Sequence, residues 1–123
     1  MPYPCYFLVY PQNLAGNGSV TKDPLNIQLQ FPIEIYALAQ SSTSTNYLFN
    51  FQLAGQDFPF FAVNQASAIG VNMSALFPSN VLKPFHLGGK VLLKPSDRLL
   101  VSLTDKSGST NDIQIVFLGI PQL

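Results

Sequence analysis

The sequence has little charge. Only 10% of its 123 residues are charged, and six basic residues are balanced by six acidic ones, so the formal net charge is zero. Soluble domains typically contain roughly 25% charged residues. Because the basic residues are scattered and balanced, they form no basic stripe, and we expect no nucleic-acid partner. A near-zero net charge favours association between chains, because it provides little mutual repulsion.

Cysteine is almost absent as well. Cys5 is the only cysteine, which excludes an intramolecular disulfide and a cysteine-based zinc site. Its apolar surroundings favour a small buried side chain, with an intermolecular disulfide or a reactive thiol as the alternative. No run approaches the roughly 20 apolar residues that span a bilayer, and the N-terminus has no basic signal region. We therefore expect a soluble chain, made in the cytoplasm, with no membrane partner.

The sequence contains few candidate catalytic groups. His86 is the only histidine, and no GxSxG motif is present, so we interpret His86 as a hydrogen-bonded structural residue rather than a base or ligand. Glu34 is the only glutamate, and one histidine with one glutamate cannot supply a cupin-type metal site. The Gly16–Gly18 turn lacks the lysine and the spacing of a phosphate-binding loop.

A glycosidase would pair Glu34 with an aspartate, and every aspartate lies at a turn or a strand end, where aspartate commonly serves turn chemistry. Their spacing does not match an EF-hand. We therefore predict a non-enzymatic protein with no cofactor and no catalytic, cofactor-binding or metal-binding residues. The five aspartates considered are Asp23, Asp57, Asp97, Asp105 and Asp112.

Alternating apolar residues are the strongest positive signal, and they are clearest near the C-terminus. Leu99, Val101 and Leu103 alternate with polar residues, and the same period of two returns in Ile113, Ile115 and Phe117. Pro95 suits the turn before the first of these segments, and a polar loop separates the two. The pattern predicts a three-strand meander made of Lys90–Leu93, Arg98–Thr104 and Asp112–Leu118.

The N-terminal half predicts further strands. Cys5–Tyr10 lies between prolines, which favours a strand at a sheet edge, followed by a flexible loop over Gln12–Asp23. Leu25–Ile35 alternates throughout and predicts one long strand, or two strands that break near Pro32. A polar loop is expected over Gln40–Asn46.

The middle of the chain is aromatic. Tyr47–Leu53 predicts a strand, and Phe58–Val63 its hairpin return. We interpret these aromatic residues as core, with an exposed patch for subunit contact or ligand stacking as the alternative. Asn64–Lys83 predicts a loop with a short strand and one helical turn, which Asn72 or Ser74 caps.

Together these segments give about eight short strands and no long helix in a single domain over residues 1–123. The pattern predicts an all-β, jelly-roll-like antiparallel β-sandwich. An immunoglobulin-like sandwich is the alternative, although one cysteine and no tryptophan cannot form its Cys–Trp–Cys landmark.

Several of these strings also carry a family resemblance. The chain over roughly residues 25–119 resembles small virion structural proteins of tailed bacteriophages, which are jelly-roll or β-sandwich units that decorate or reinforce capsids or form accessory parts of the particle. The resemblance supplies no catalytic residue. The strings are GGKV from Gly88, LKPSDRL from Leu93, VSLTD from Val101, NDIQIVFLG from Asn111 and YLFNF from Tyr47.

The resemblance implies a non-enzymatic virion structural protein, a capsid decoration or accessory component that acts by self-association and by docking on a repeated protein surface. The expected partners are the major capsid protein or other virion proteins and further copies of the chain, and the expected location is the virion. A carbohydrate-binding, lectin-like module is the alternative, with Tyr36, Tyr47 or Phe85 as stacking platforms. A small enzyme that uses His86 is the third possibility.

Overall fold

The computed structural model describes residues 6–26, 31–56, 60–61, 70–77 and 84–122. Cys5 and Asp57 lie outside these ranges. The described residues form eight strands and one short helix: β1 (Tyr6–Leu14), β2 (Ser19–Asn26), β3 (Ile33–Ser42), β4 (Tyr47–Leu53), β5 (Val71–Asn72), α1 (Met73–Leu76), β6 (Phe85–Leu93), β7 (Arg98–Asp105) and β8 (Asn111–Pro121).

The strands form two four-stranded antiparallel sheets, in the orders β1-β8-β3-β6 and β2-β7-β4-β5. Apart from β4 and β5, strands that follow one another along the chain lie in opposite sheets. This connectivity is a jelly roll, which confirms the predicted fold class. The immunoglobulin-like alternative is wrong, because its first two strands share a sheet, whereas β1 and β2 lie in different sheets.

The predicted C-terminal meander is wrong, because its strands do not pair with one another. β7 pairs with β2 and β4, whereas β8 pairs with β1 and β3 in the other sheet. The turns before and after β7 therefore carry the chain across the sandwich instead of joining neighbours. The period of two identifies the side of each strand that faces the core, but it holds no information about the strand's partner.

The alternation itself predicts burial correctly. Phe49 and Phe51 of β4 reach across to Phe117 of β8, with ring centroids 6.4 and 5.2 Å apart. The aromatic residues of β4 are therefore core, as expected, and the half-buried Phe60 and Phe61 pack against them. Burying each large apolar side chain contributes about 1.5–3 kcal/mol. At most 1% of the surface is exposed for Leu99, Val101, Leu103, Ile113, Ile115 and Phe117.

Two strand ends in the N-terminal half lie beyond their expected positions. β1 lies at a sheet edge, as predicted, but continues through Pro11 to Leu14, so the expected flexible loop is largely strand. β3 likewise extends into the expected polar loop as far as Ser42. Polar residues are tolerated in both strands because alternate side chains point away from the core. The break near Pro32 is real, since β3 begins at Ile33.

The expected return strand after β4 is not a strand at Phe60 or Phe61, and the rest of it lies outside the described ranges. β4 pairs instead with β5. The side chain of Asn50 accepts a hydrogen bond from the Phe61 N–H (3.0 Å) and donates one to the Phe61 carbonyl (2.9 Å). These are the two backbone hydrogen bonds that a neighbouring strand would otherwise make with Phe61. The short helix follows β5, and Asn72 caps it as predicted.

Candidate interaction surface

The outer side of the β1-β8-β3-β6 sheet carries the exposed large hydrophobic side chains of the described residues. Among the described residues, three large hydrophobic side chains are exposed: Val9 by 40%, Leu92 by 47% and Ile120 by 41%. They belong to β1, β6 and β8 of this one sheet. The residues before and after each of them along the strand are buried or pack against the core, so each of the three points away from it. We call this side of the sheet the outer apolar face.

The strand register joins these residues into rows. Val9 pairs with Val116, and Val116 pairs with Ala39. Toward the C-terminal end of β8, Glu34 separates Ile120 from Leu92, since it pairs with both of them. Toward the N-terminal end of β8 the same side is polar, because it presents the exposed Asp112 and Gln114. The first row is wholly apolar, and the second contains one carboxylate.

A third row lies between these two. Leu118 pairs with Ala37, which in turn pairs with His86. A β-bulge places Tyr36 as an extra residue next to Ala37, and its ring lies 6.2 Å from that of His86. His86 is exposed, and Leu118 and Ala37 are buried. The sequence favours a structural role for His86 over that of a base or ligand, and in the fold His86 lies on this face.

The outer side of the other sheet is mixed in polarity. On β7 it presents Arg98, Ser102 and Thr104 together with the aliphatic Leu100, and on β4 it presents Asn50 and Gln52 together with Leu48. The molecule therefore has one outer face of ordinary surface polarity and one of the kind that marks interaction sites.

The free edges of both sheets are interrupted. β1 contains Pro11 and β2 contains Pro24, and proline cannot donate to a further strand. β2 also has a bulge at which Lys22 adopts a φ of 52°. On the other side, β5 is only two residues long, and β6 leaves register between His86 and Val91. Such features oppose edge-to-edge pairing, which makes a face the better surface for association.

A polar contact closes the sandwich between β1 and β2. The hydroxyl of Tyr10 donates a hydrogen bond to the carboxylate of Asp23, and Gln12 donates to the same hydroxyl at 3.2 Å. Burial, and then the hydrogen bond to Asp23, raise the pKa of Tyr10 to about 12. The phenol therefore stays protonated at neutral pH and holds the two edge strands together.

A buried carboxylate organises the loops at one end of the sandwich. Asp105, which is 1% exposed, accepts hydrogen bonds from the backbone N–H groups of Asn17 (2.8 Å), Ser107 (3.2 Å) and Gly108 (3.1 Å). The side chains of Ser107 and Asn111 donate to it at 2.7 and 3.3 Å. Burial alone raises the pKa of Asp105, but these hydrogen bonds outweigh burial and hold its pKa below the ordinary value.

Asn111 connects this carboxylate to a third loop. Its amide accepts a hydrogen bond from the Ser44 N–H (3.1 Å) and donates one to the Ser44 carbonyl (2.9 Å). The β1–β2, β3–β4 and β7–β8 connections are thus joined through two buried side chains. Asp105 serves turn chemistry here, as does Asp97, which accepts a hydrogen bond from the Lys94 N–H at 2.9 Å.

The residues proposed for other functions are scattered. Tyr47 is fully buried and donates to Gln40 at 2.9 Å, so it cannot be a stacking platform. Phe85 is half-buried against Phe61 and Phe77. Within the described ranges, no three histidine, cysteine or carboxylate side chains are grouped to hold a metal ion.

No protein-family model, curated protein or solved structure matches this chain. In the part of the chain that the structure describes, no helix is long and apolar enough to cross a membrane. The outer apolar face was not found from the sequence, because its residues come from separate strands and each one looks like an ordinary member of an alternating pattern.

Proposed function

We propose that this chain is a non-enzymatic virion structural protein, a capsid decoration or accessory component that self-associates and docks on a repeated protein surface. Jelly rolls are common in viral capsid proteins, and they also occur in lectins and cupins. The outer apolar face is the observation that carries the proposal, because a subunit that works by packing against other proteins needs such a surface.

Low charge also supports a packing role. Bringing ionised groups into a protein contact costs desolvation energy, so interface centres are depleted of charged residues. The chain contains 10% charged residues, and the outer apolar face has two carboxylates among its described side chains, Glu34 and Asp112, which lie at its opposite ends.

Quantitative mass spectrometry and electron microscopy of purified particles test the virion role. We expect the chain to be present at a fixed ratio to the major capsid protein, and antibody labelling to place it at repeated positions on the particle. A chain that is expressed in infected cells but absent from washed, intact particles contradicts the proposal.

The lectin-like alternative depends mainly on Tyr36. Its side chain is half-buried on the outer apolar face beside the exposed His86. An aromatic ring in such a place can stack on a sugar. Binding on a glycan array that Tyr36→Ala abolishes and Tyr36→Phe retains favours this alternative over the virion role.

A further inference from the structure

We infer that the outer apolar face is the contact surface of a closed homodimer, whose occupant is the same face of a second copy of this chain. The inference rests on the self-associating part of the proposed function and specifies the surface that performs it. Two identical faces that pack together are related by a two-fold axis, so each copy buries the same residues.

The size of the face suits one partner of this kind. β1, β8, β3 and β6 contain 9, 11, 10 and 9 residues. At a rise of roughly 3.4 Å per residue and a strand spacing of roughly 4.8 Å, the sheet covers about 600 Å² in plan. A stable interface buries about 800 Å² of accessible surface on each partner. Protruding side chains make the accessible surface larger than the plan area, so one sheet face approaches this size.

Charge also favours a second copy as the occupant. The formal net charge of the chain is zero, so two copies have no overall repulsion. On the face, the row of Val9, Val116 and Ala39 contains no charge. Glu34 and Asp112 lie in rows at the two ends of the face, and packed sheets cross at about 30°, so the end rows splay apart and leave both carboxylates access to water.

The interrupted edges decide how far such association goes. Edge pairing between copies would extend a sheet without limit, but Pro11, Pro24 and the two-residue β5 oppose it. Face-to-face packing instead uses the outer apolar face of both copies, so neither face remains exposed to bind a third copy. The product is therefore a discrete dimer rather than a fibre.

Sedimentation of single-lysine variants tests the inference. Ile120→Lys places a cation on the face beside Glu34, its partner in the strand register, so the fold is retained. Val9→Lys makes the same change on another strand. We expect the wild-type chain to sediment as a dimer, and each variant to raise the dimer dissociation constant at least about tenfold.

Leu100→Lys is the matched control. Leu100 is a partly exposed aliphatic residue on the outer side of the other sheet. We expect this variant to remain a dimer. Circular dichroism and thermal unfolding establish that each variant is folded, and Leu92→Lys replaces any face variant that is not. The inference is overturned if the wild-type chain is monomeric at its highest soluble concentration. It is also overturned if the face variants remain dimeric, or if Leu100→Lys weakens the dimer as much as they do.

Particle incorporation of the same variants separates this inference from the virion role. If the chain enters particles but is monomeric in solution, the dimer inference is wrong and the virion role is supported. If Ile120→Lys disrupts a dimer of a chain that never enters particles, the dimer interface is supported and the virion role is wrong.

Discussion

Asp105 combines burial with a full set of hydrogen-bond donors. It closes β7, and its donors belong to the β1–β2 turn, the β7–β8 loop and the start of β8. A carboxylate offers two acceptor oxygens to these groups, whereas an amide offers one oxygen and would direct its own N–H groups at the remaining donors. The negative charge is therefore part of the loop structure.

We expect Asp105→Asn to lower the free energy of unfolding by about 2–4 kcal/mol, because several donors lose a charged acceptor in a buried site. Urea denaturation measures this change. Asp97→Asn is the control, since Asp97 accepts a hydrogen bond from the Lys94 N–H in an exposed turn. We expect that variant to lose at most about 1 kcal/mol.

The difference between the wild type and Asp105→Asn depends on pH. The pKa of Asp105 is lower in the folded chain than in the unfolded chain, where it is about 3.9. Its stabilisation is therefore fully present above that unfolded value and decreases as the pH falls toward the folded pKa. A difference that stays constant down to about pH 2 contradicts the charge-based explanation.

At the scale of elements, the short strand β5 depends on a close approach. Gly70 directly precedes β5 and is buried against β4. A Cβ atom at Gly70 would lie 2.3 Å from the carbonyl oxygen of Phe49, which is backbone and cannot rotate away. Only glycine therefore lets β5 reach its partner.

We expect Gly70→Ala to destabilise the chain by about 1–3 kcal/mol, which is the usual range for overpacking, and to increase hydrogen exchange in β5 and α1. Chemical denaturation and hydrogen-exchange mass spectrometry measure the two effects. Gly88→Ala is the control, because a Cβ there meets nothing within 4 Å. Equal losses in both variants would mean that the close approach to β4 is not the cause.

Element positions were easier to predict than element partners. Pro11 and the sequence before it correctly indicated an edge strand, and Asn72 correctly indicated a helix cap, because both are local effects of one residue on its own backbone. The predicted β7–β8 hairpin was wrong, since a polar loop that joins two strands within a sheet resembles one that joins opposite sheets.

At the scale of the whole molecule, two buried tyrosines make the fold sensitive to high pH. Burial raises the pKa of Tyr47 above its ordinary range, and burial with the hydrogen bond to Asp23 raises the pKa of Tyr10 to about 12. Unfolded tyrosine titrates near about 10. Because both folded values are raised, this stabilisation is fully present below the unfolded pKa and is lost as the pH rises toward the folded values.

We expect the free energy of unfolding to fall above about pH 10, by up to about 1.4 kcal/mol per pH unit for each of the two tyrosines. Urea denaturation between about pH 8 and about pH 11.5 measures the slope. Tyr47→Phe is expected to reduce the slope by about half, apart from a pH-independent loss of about 1 kcal/mol for its hydrogen bond to Gln40. A flat profile to about pH 11.5 contradicts this assignment.

Alternation along the chain was enough to predict which side of β7 and of β8 faces the core. Leu99 and Ile113 are buried as predicted, because side chains alternate strictly along a strand and only one side can meet the opposite sheet. Sheet membership and register were decided only by the tertiary structure, because pairing joins residues that are far apart in the chain. Val9, Leu92 and Ile120 share one outer face for that reason, and no local pattern in the sequence could have brought them together.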